Sequence, residues 1–157
     1  MFLTINQSGK LKHKKVILSI GRLCKEKGIH EIIAALPYLD ENIILLIVGK
    51  RFSNLNYYSE LLFQSYKLGV RERVIFLGWV DPKNLENLYI ISDIGILVGK
   101  VYESLSRFLL DCVNNGLPCI VRDIGGNKEI IINNYNGIIL PFNFKTKDLA
   151  KNINKLI

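Results

Sequence analysis

The sequence predicts an α/β fold, a Rossmann-like parallel sheet with helices on both faces. Three observations carry that prediction. Short β-rich runs recur along the chain, and most are apolar throughout rather than alternating, as expected of strands covered on both faces. Helical patterns fill the intervals and are long enough to serve as crossovers between parallel strands. With 157 residues, 49% of them hydrophobic, one domain can bury a sizeable core without metals or disulfides.

Residues 1–14 are polar and run into the basic string Lys10, Lys12, His13, Lys14 and Lys15, which reads as a linker, so the ordered domain is expected from residue 15 to residue 157. Strands are expected at Val16–Ile20, Ile43–Val48, Val74–Leu77, Ile94–Val98, Cys119–Val121 and Gly137–Leu140. A first helix places Ile29, Ile32, Ile33 and Leu36 on one face. A second carries Tyr58, Leu61, Leu62 and Ser65 ahead of Gly69, a residue suited to end it. Asp81-Pro82 offers a cap and a first-turn proline for a helix bearing Leu85, Leu88 and Tyr89, and Thr146 opens a last helix through Leu149, Ile153 and Leu156. The chain shows no internal repeat, low-complexity stretch or second domain boundary.

The balance of 21 Lys+Arg against 14 Asp+Glu leaves a net charge of +7, which suits phosphate-bearing ligands, nucleic acid or an anionic membrane face. Nucleic acid is disfavoured, because the basic residues are dispersed and neither a recognition helix nor an aromatic stacking motif accompanies them. Three cysteines, Cys24, Cys112 and Cys119, lack CxxC spacing, and only two histidines are present, so neither a zinc cluster nor a disulfide framework is indicated. A reducing cytosol is the default setting. The longest apolar run, Ile43 to Val48, is too short to span a bilayer, so any membrane contact is expected to be peripheral, at the cytoplasmic face.

Two loops carry candidate chemistry. Directly after the first strand, Gly21-Arg22-Leu23-Cys24-Lys25-Glu26-Lys27-Gly28 leads into a helix at the carboxyl edge of the sheet, where ligands of open α/β sheets bind. Glycines allow tight turns, while Arg22 and Lys27 could clamp a diphosphate from two sides. The loop lacks both the G-x-G-x-x-G and the P-loop patterns, which disfavours nicotinamide, flavin and P-loop readings. On spacing alone the glycines could equally shape a turn beside solvated cations. Cys24 reads either as a thiol activated by those cations or as a small buried hydrophobe.

After the fourth strand comes Gly99-Lys100-Val101-Tyr102-Glu103-Ser104-Leu105-Ser106-Arg107. A helix drawn through this stretch gathers Leu105, Phe108, Leu109, Cys112 and Val113 on one face and Glu103, Arg107 and Asp111 on the other. The polar stripe could be a solvated face with ion pairs through Arg107. Alternatively, eight residues of helix separate Glu103 and Asp111 by roughly 12 Å, a span comparable to a nucleotide sugar. One acid would then accept from the transferred sugar and the other from the ribose, with the N–H groups of Ser104, Leu105 and Ser106 capping phosphate between them.

Taken in order, Gly21-Arg22-Leu23 with Lys27-Gly28, Phe76-Leu77-Gly78, the acid pair, Gly116-Leu117-Pro118-Cys119-Ile120-Val121, Gly125-Gly126-x-x-Glu129-Ile130 and Asn136-Gly137 resemble the C-terminal lobe of retaining GT-B glycosyltransferases of family four. The resemblance runs from Lys15 onward. It implies a donor site with Gly21, Arg22 and Lys27 on the diphosphate, Glu103 as the catalytic-site acid on the sugar hydroxyls, Asp111 on the ribose, the main chain of Trp79 and Val80 near the base, and Ser104 to Ser106 beside the phosphates. Asp111 stands where the family pattern has a second glutamate, and Ser104-Leu105-Ser106 replaces the common Gly-Phe-Gly. The resemblance further implies transfer from a nucleotide sugar to a saccharide or lipid, without a bound metal or further cofactor. An N-terminal acceptor lobe would act as partner, in cis or in trans, which makes residues 1–14 the tail of an interlobe hinge and this chain half of an active site. The alternative is a degenerate or non-catalytic nucleotide-binding module.

Overall fold

The computed structural model describes residues 13–50 and 55–157. Among these residues six parallel strands form one sheet: β1 (Lys15–Ile20), β2 (Ile43–Val48), β3 (Val74–Gly78), β4 (Ile94–Leu97), β5 (Cys119–Arg122) and β6 (Gly137–Leu140), in the spatial order β3-β2-β1-β4-β5-β6. Helices α1 (Ile29–Ala35), α2 (Leu55–Lys67), α3 (Leu85–Ile90), α4 (Arg107–Asn114), α5 (Asn127–Ile130) and α6 (Thr146–Leu156) supply the crossovers and the last element. This is the Rossmann-like α/β lobe expected from the continuous apolar strands, with boundaries shifted by a residue or so. The proposed 1–14 linker lies outside the described residues except for His13 and Lys14.

Strand residues alternate between two buried layers. Ile17, Leu45, Ile47, Ile96, Ile120 and Ile138 pack with Ile29, Ile32 and Ile33 of α1, Leu61 of α2 and Leu149 and Ile153 of α6. On the opposite face, Val16, Leu18, Leu46, Val48, Leu97, Cys119 and Val121 pack with Leu88 and Tyr89 of α3 and with Phe108, Leu109 and Cys112 of α4. Because both faces are apolar, none of the described strands shows a polar side; that explains the uninterrupted hydrophobic runs. Local signals do what their chemistry suggests. The Asp81 carboxylate accepts from the Lys83 N–H at 3.0 Å in a 3-10 turn that leads into α3. At the end of α2, Gly69 has φ 69°, and the Val70 N–H donates back to the Ser65 carbonyl at 2.9 Å. At α6, Thr146 is the first helical residue rather than the cap, and the Asp148 carboxylate accepts from the Lys145 N–H at 2.9 Å.

The helix expected to run from Glu103 is shorter than its sequence pattern suggests. The fourth crossover helix starts at Arg107, with Ser106 as its extended cap residue, so Glu103 lies in the preceding loop and not on a helical stripe. The cause is tertiary: the Glu103 carbonyl accepts from the Gly126 N–H at 2.8 Å, committing that backbone to another segment. Leu105 is consequently exposed, and Val113 is only partly covered, leaving Phe108, Leu109 and Cys112 as the buried face of α4.

Strand order reverses between β1 and β4. From β1 the chain turns to α1 on one face; from β4 it turns to α4 on the other. The crevice opened where the two loops part is the ligand position of open α/β sheets.

Candidate functional site

Both loops singled out in the sequence meet at this crevice, and main-chain contacts stitch them together. The Lys100 N–H donates to the Glu26 carbonyl at 2.8 Å. Gly28 sits at φ 72°, and a Cβ there would lie 2.8 Å from the Val98 carbonyl oxygen; one at Gly99 would lie 2.4 Å from the Glu26 carbonyl oxygen. Either side chain would force the loops apart. At Gly21, by contrast, a Cβ would meet only the Lys27 side chain at 3.7 Å, an ordinary contact, whereas one at Gly49 would lie 2.1 Å from the Gly21 carbonyl oxygen. The glycines that the close approach requires are therefore Gly28, Gly49 and Gly99 more than Gly21.

The Lys27 ammonium donates to the Glu103 carboxylate across the crevice, in an ion pair whose side chains are only 16% and 28% exposed. Arg22 stands exposed beside Gly21. The main chain of Glu103 and Ser104 is held by the Gly125-Gly126 turn, where a Cβ at Gly126 would fall 1.8 Å from the Ser104 carbonyl oxygen. Ser104 and Leu105 are exposed, and Ser106 is buried. Since α4 begins after them, the free N–H groups of its first turn start at Ser106 and continue into the helix, rather than spanning Ser104 to Ser106. Trp79, 61% exposed, and Val80, packed against the second core layer, follow β3 at the same carboxyl edge.

Asp111 lies apart from this cluster. It lines a cleft of about 470 Å³ between α3 and α4 with Pro82, Glu86, Tyr89, Arg107 and Asn115, while Glu103 lines a small recess beside Lys27. Its carboxylate accepts from the Tyr89 hydroxyl at 3.4 Å and stands 3.5 Å from Arg107 Nε. Burial, reinforced by the Asp111 charge, pushes the Tyr89 hydroxyl above its usual range. The two acids thus occupy separate recesses, and the expected helical spacing between them does not describe their relation.

Cys24 is not an activated thiol: partial burial, followed by the neighbouring Glu26, pushes its pKa up, outweighing Arg22. His30 is engaged with the Tyr57 hydroxyl at 2.9 Å, and burial lowers its pKa. Among the described residues no group of three or more His, Cys, Asp or Glu side chains is arranged to hold a metal ion. Nor is any described helix long and apolar enough to cross a membrane.

The residue that sequence reasoning missed is Arg122, at the end of β5. Its buried guanidinium donates to the Val98 carbonyl at 2.8 Å, to the Phe142 carbonyl and to Glu31 of α1, and it stacks 4.3 Å from the Phe144 ring centroid. Glu31 also pairs with Lys100 at 3.2 Å. Arg122 therefore ties β5, the end of β4, and α1 together under the crevice. A lone arginine closing an otherwise apolar strand was the available signal.

Residues 3–157 match the family profile described as Glycosyl transferases group 1. The chain is 32% identical over 152 residues to spore coat protein SA of Bacillus subtilis, covering 94% of this chain and 40% of that protein. It is 39% identical over 127 residues to an uncharacterized glycosyltransferase of Methanocaldococcus jannaschii, covering 80% of this chain and 31% of that one. Among solved structures, Anabaena HepE in complex with UDP and glucose superimposes with a TM-score of 0.88 at 25% identity, over 98% of this chain and 41% of HepE. The C-terminal domain of a glycosyl transferase group 1 protein from Francisella tularensis shares the fold, with a TM-score of 0.82 at 22% identity, over 96% of this chain and 78% of that one. The chain thus spans less than half the length of the first two relatives and of HepE. With the strand order, the paired loops and the family profile in agreement, this chain belongs to the glycosyl transferases group 1 family and forms one lobe of the GT-B fold.

Proposed function

We propose that this lobe binds a nucleoside-diphosphate sugar across the β1/β4 crevice, as the donor half of an enzyme that passes the sugar to a saccharide or lipid acceptor with retention. The observation that carries the reading is the convergence of Lys27 and Glu103 at the strand-order reversal, one cation and one acid on opposite loops. Arg22 and Lys27 meet the diphosphate charge in place of a metal, and no further cofactor takes part. Glu103 accepts from the sugar hydroxyls, the main chain at Trp79 and Val80 flanks the base, and Ser106 opens the helix whose first N–H groups face phosphate. The acceptor site belongs to a second lobe, in the same polypeptide or another, working at the cytoplasmic side and in peripheral contact with membrane where the acceptor is a lipid. HepE, solved with UDP and glucose, supports the donor class.

Titration of the 157-residue chain with UDP-, GDP- and ADP-sugars is expected to give saturable binding for one base, with micromolar or weaker affinity. Random oligonucleotides should not compete. Incubation with that donor and candidate acceptors is expected to give no transfer until an N-terminal lobe is supplied; turnover by this chain alone would overturn the half-site reading.

Asp111 is the position where donor chemistry and simple surface pairing predict different results. If the nucleotide's ribose reaches the α3–α4 cleft, Asp111→Ala weakens nucleoside-diphosphate binding by about 1–3 kcal/mol while sparing inorganic diphosphate, which has no ribose. An Asp111 that serves only Arg107 and Tyr89 instead changes stability by about half a kcal/mol and leaves both affinities alone. Calorimetric titration of both ligands against both proteins separates the two.

A further inference from the structure

We propose that Glu103 is a built-in occupant of the diphosphate clamp: free nucleoside diphosphate must displace it from Lys27, whereas a nucleotide sugar gives the displaced carboxylate new partners. The inference rests on the donor-site reading and adds a means of telling donor from product. Lys27 and Glu103 are bonded to each other and largely withdrawn from solvent. The Glu103 carboxylate accepts from the same ammonium that the diphosphate would use, so the two anions compete for one donor.

Both backbones are anchored, which confines the exchange to side chains. On one side the Lys27 N–H donates to the Cys24 carbonyl at 3.1 Å, and the Glu26 carbonyl is held by Lys100 at 2.8 Å. On the other, Gly126 holds the Glu103 carbonyl at 2.8 Å, with no room for side chains on the Gly125-Gly126 turn. A carboxylate set free beside a diphosphate is a like charge without a partner, which costs binding energy in a site of low exposure. Sugar hydroxyls donating to that carboxylate recover the loss through charge-assisted hydrogen bonds. The consequence is a donor site that holds the nucleotide sugar better than the nucleoside diphosphate left after transfer.

The test is titration of wild type and Glu103→Gln with UDP, GDP and ADP and with their glucose conjugates. In the variant the preferred nucleoside diphosphate is expected to bind about tenfold more tightly than to wild type, the equivalent of removing one competing charge-assisted bond, and the preference for the sugar conjugate should shrink by a similar factor. Glu103→Ala removes the same carboxylate, and thermal melting of both variants establishes that each is folded. Nucleoside-diphosphate affinity unchanged or weakened in both variants overturns the exchange. Persistence of the gain in a Lys27→Ala background overturns Lys27 as the contested group. Wild type that binds none of the panel overturns the donor-site reading and this inference with it, an outcome distinct from binding without the gain.

Discussion

Replacing Lys27 by alanine is expected to weaken nucleoside-diphosphate binding by about 30- to 150-fold, or roughly 2–3 kcal/mol. The figure sits at the upper end for one charged hydrogen bond because the substitution acts twice. It removes a donor that is only 16% exposed, and with it a positive charge that offsets the Glu103 carboxylate in the field the phosphates enter, whether or not the two stay bonded. Arg22→Ala should lose less, since an exposed guanidinium trades bonds to water for its bonds to phosphate. Calorimetric titration of the two variants checks the order, and circular dichroism should remain that of wild type, because neither side chain belongs to a core layer. Wild-type affinity in the double variant would remove the clamp altogether.

Arg122→Ala is expected to destabilise the lobe by about 3–5 kcal/mol, the usual cost of breaking a buried pair from one side. The loss is large because three acceptors depend on one guanidinium: the carbonyls of Val98 and Phe142 and the carboxylate of Glu31. Lys100, 3.2 Å from Glu31, is exposed and replaces little of it. Against the roughly 5–15 kcal/mol that holds a typical domain, this is a substantial share, and the urea midpoint should fall accordingly. Arg122→Lys keeps the charge without the planar fork and should fall between the two. An unfolding free energy within about 1 kcal/mol of wild type would show that the guanidinium is replaceable by water.

The fold was legible because it depends on patterns that survive reading one residue at a time. Apolar runs marked all six strands, and Gly69 and Asp81 marked turns by conformations or caps that few residues supply. Several motifs that pointed to the family prove to be architecture. Gly116, at φ 67°, ends α4; Gly137 approaches the Cys119 carbonyl too closely for a Cβ; and Asn136 ties its own turn through Ile132 and Ile130. The helical spacing of Glu103 and Asp111 was misleading for a physical reason. A polar repeat of four looks the same whether or not its first member is helical, and only the contact between Gly126 and the Glu103 carbonyl, 23 residues away in sequence, decides it. Arg122 was hidden similarly: its place at the end of an apolar strand hinted at burial, but its partners Val98, Phe142 and Glu31 lie 20 or more residues away in sequence.

The β1/β4 junction has a mechanical side. β1 is registered with β2 along six residues, from Lys15↔Ile43 to Ile20↔Val48, but with β4 only at Ile17↔Ile94 and Leu18↔Gly95. The main-chain join between the two halves of the sheet is therefore short, with the shared core layer and the Arg122–Glu31 pair carrying the rest of the connection, and the crevice lies at the end of that join. Lys27 and Arg22 belong to one half, Glu103 and the start of α4 to the other. A ligand held by both acts as a staple across the joint, and the two halves of the lobe then resist separation as one body. Occupancy would in this way stiffen the whole sheet, well beyond the loops that touch the ligand.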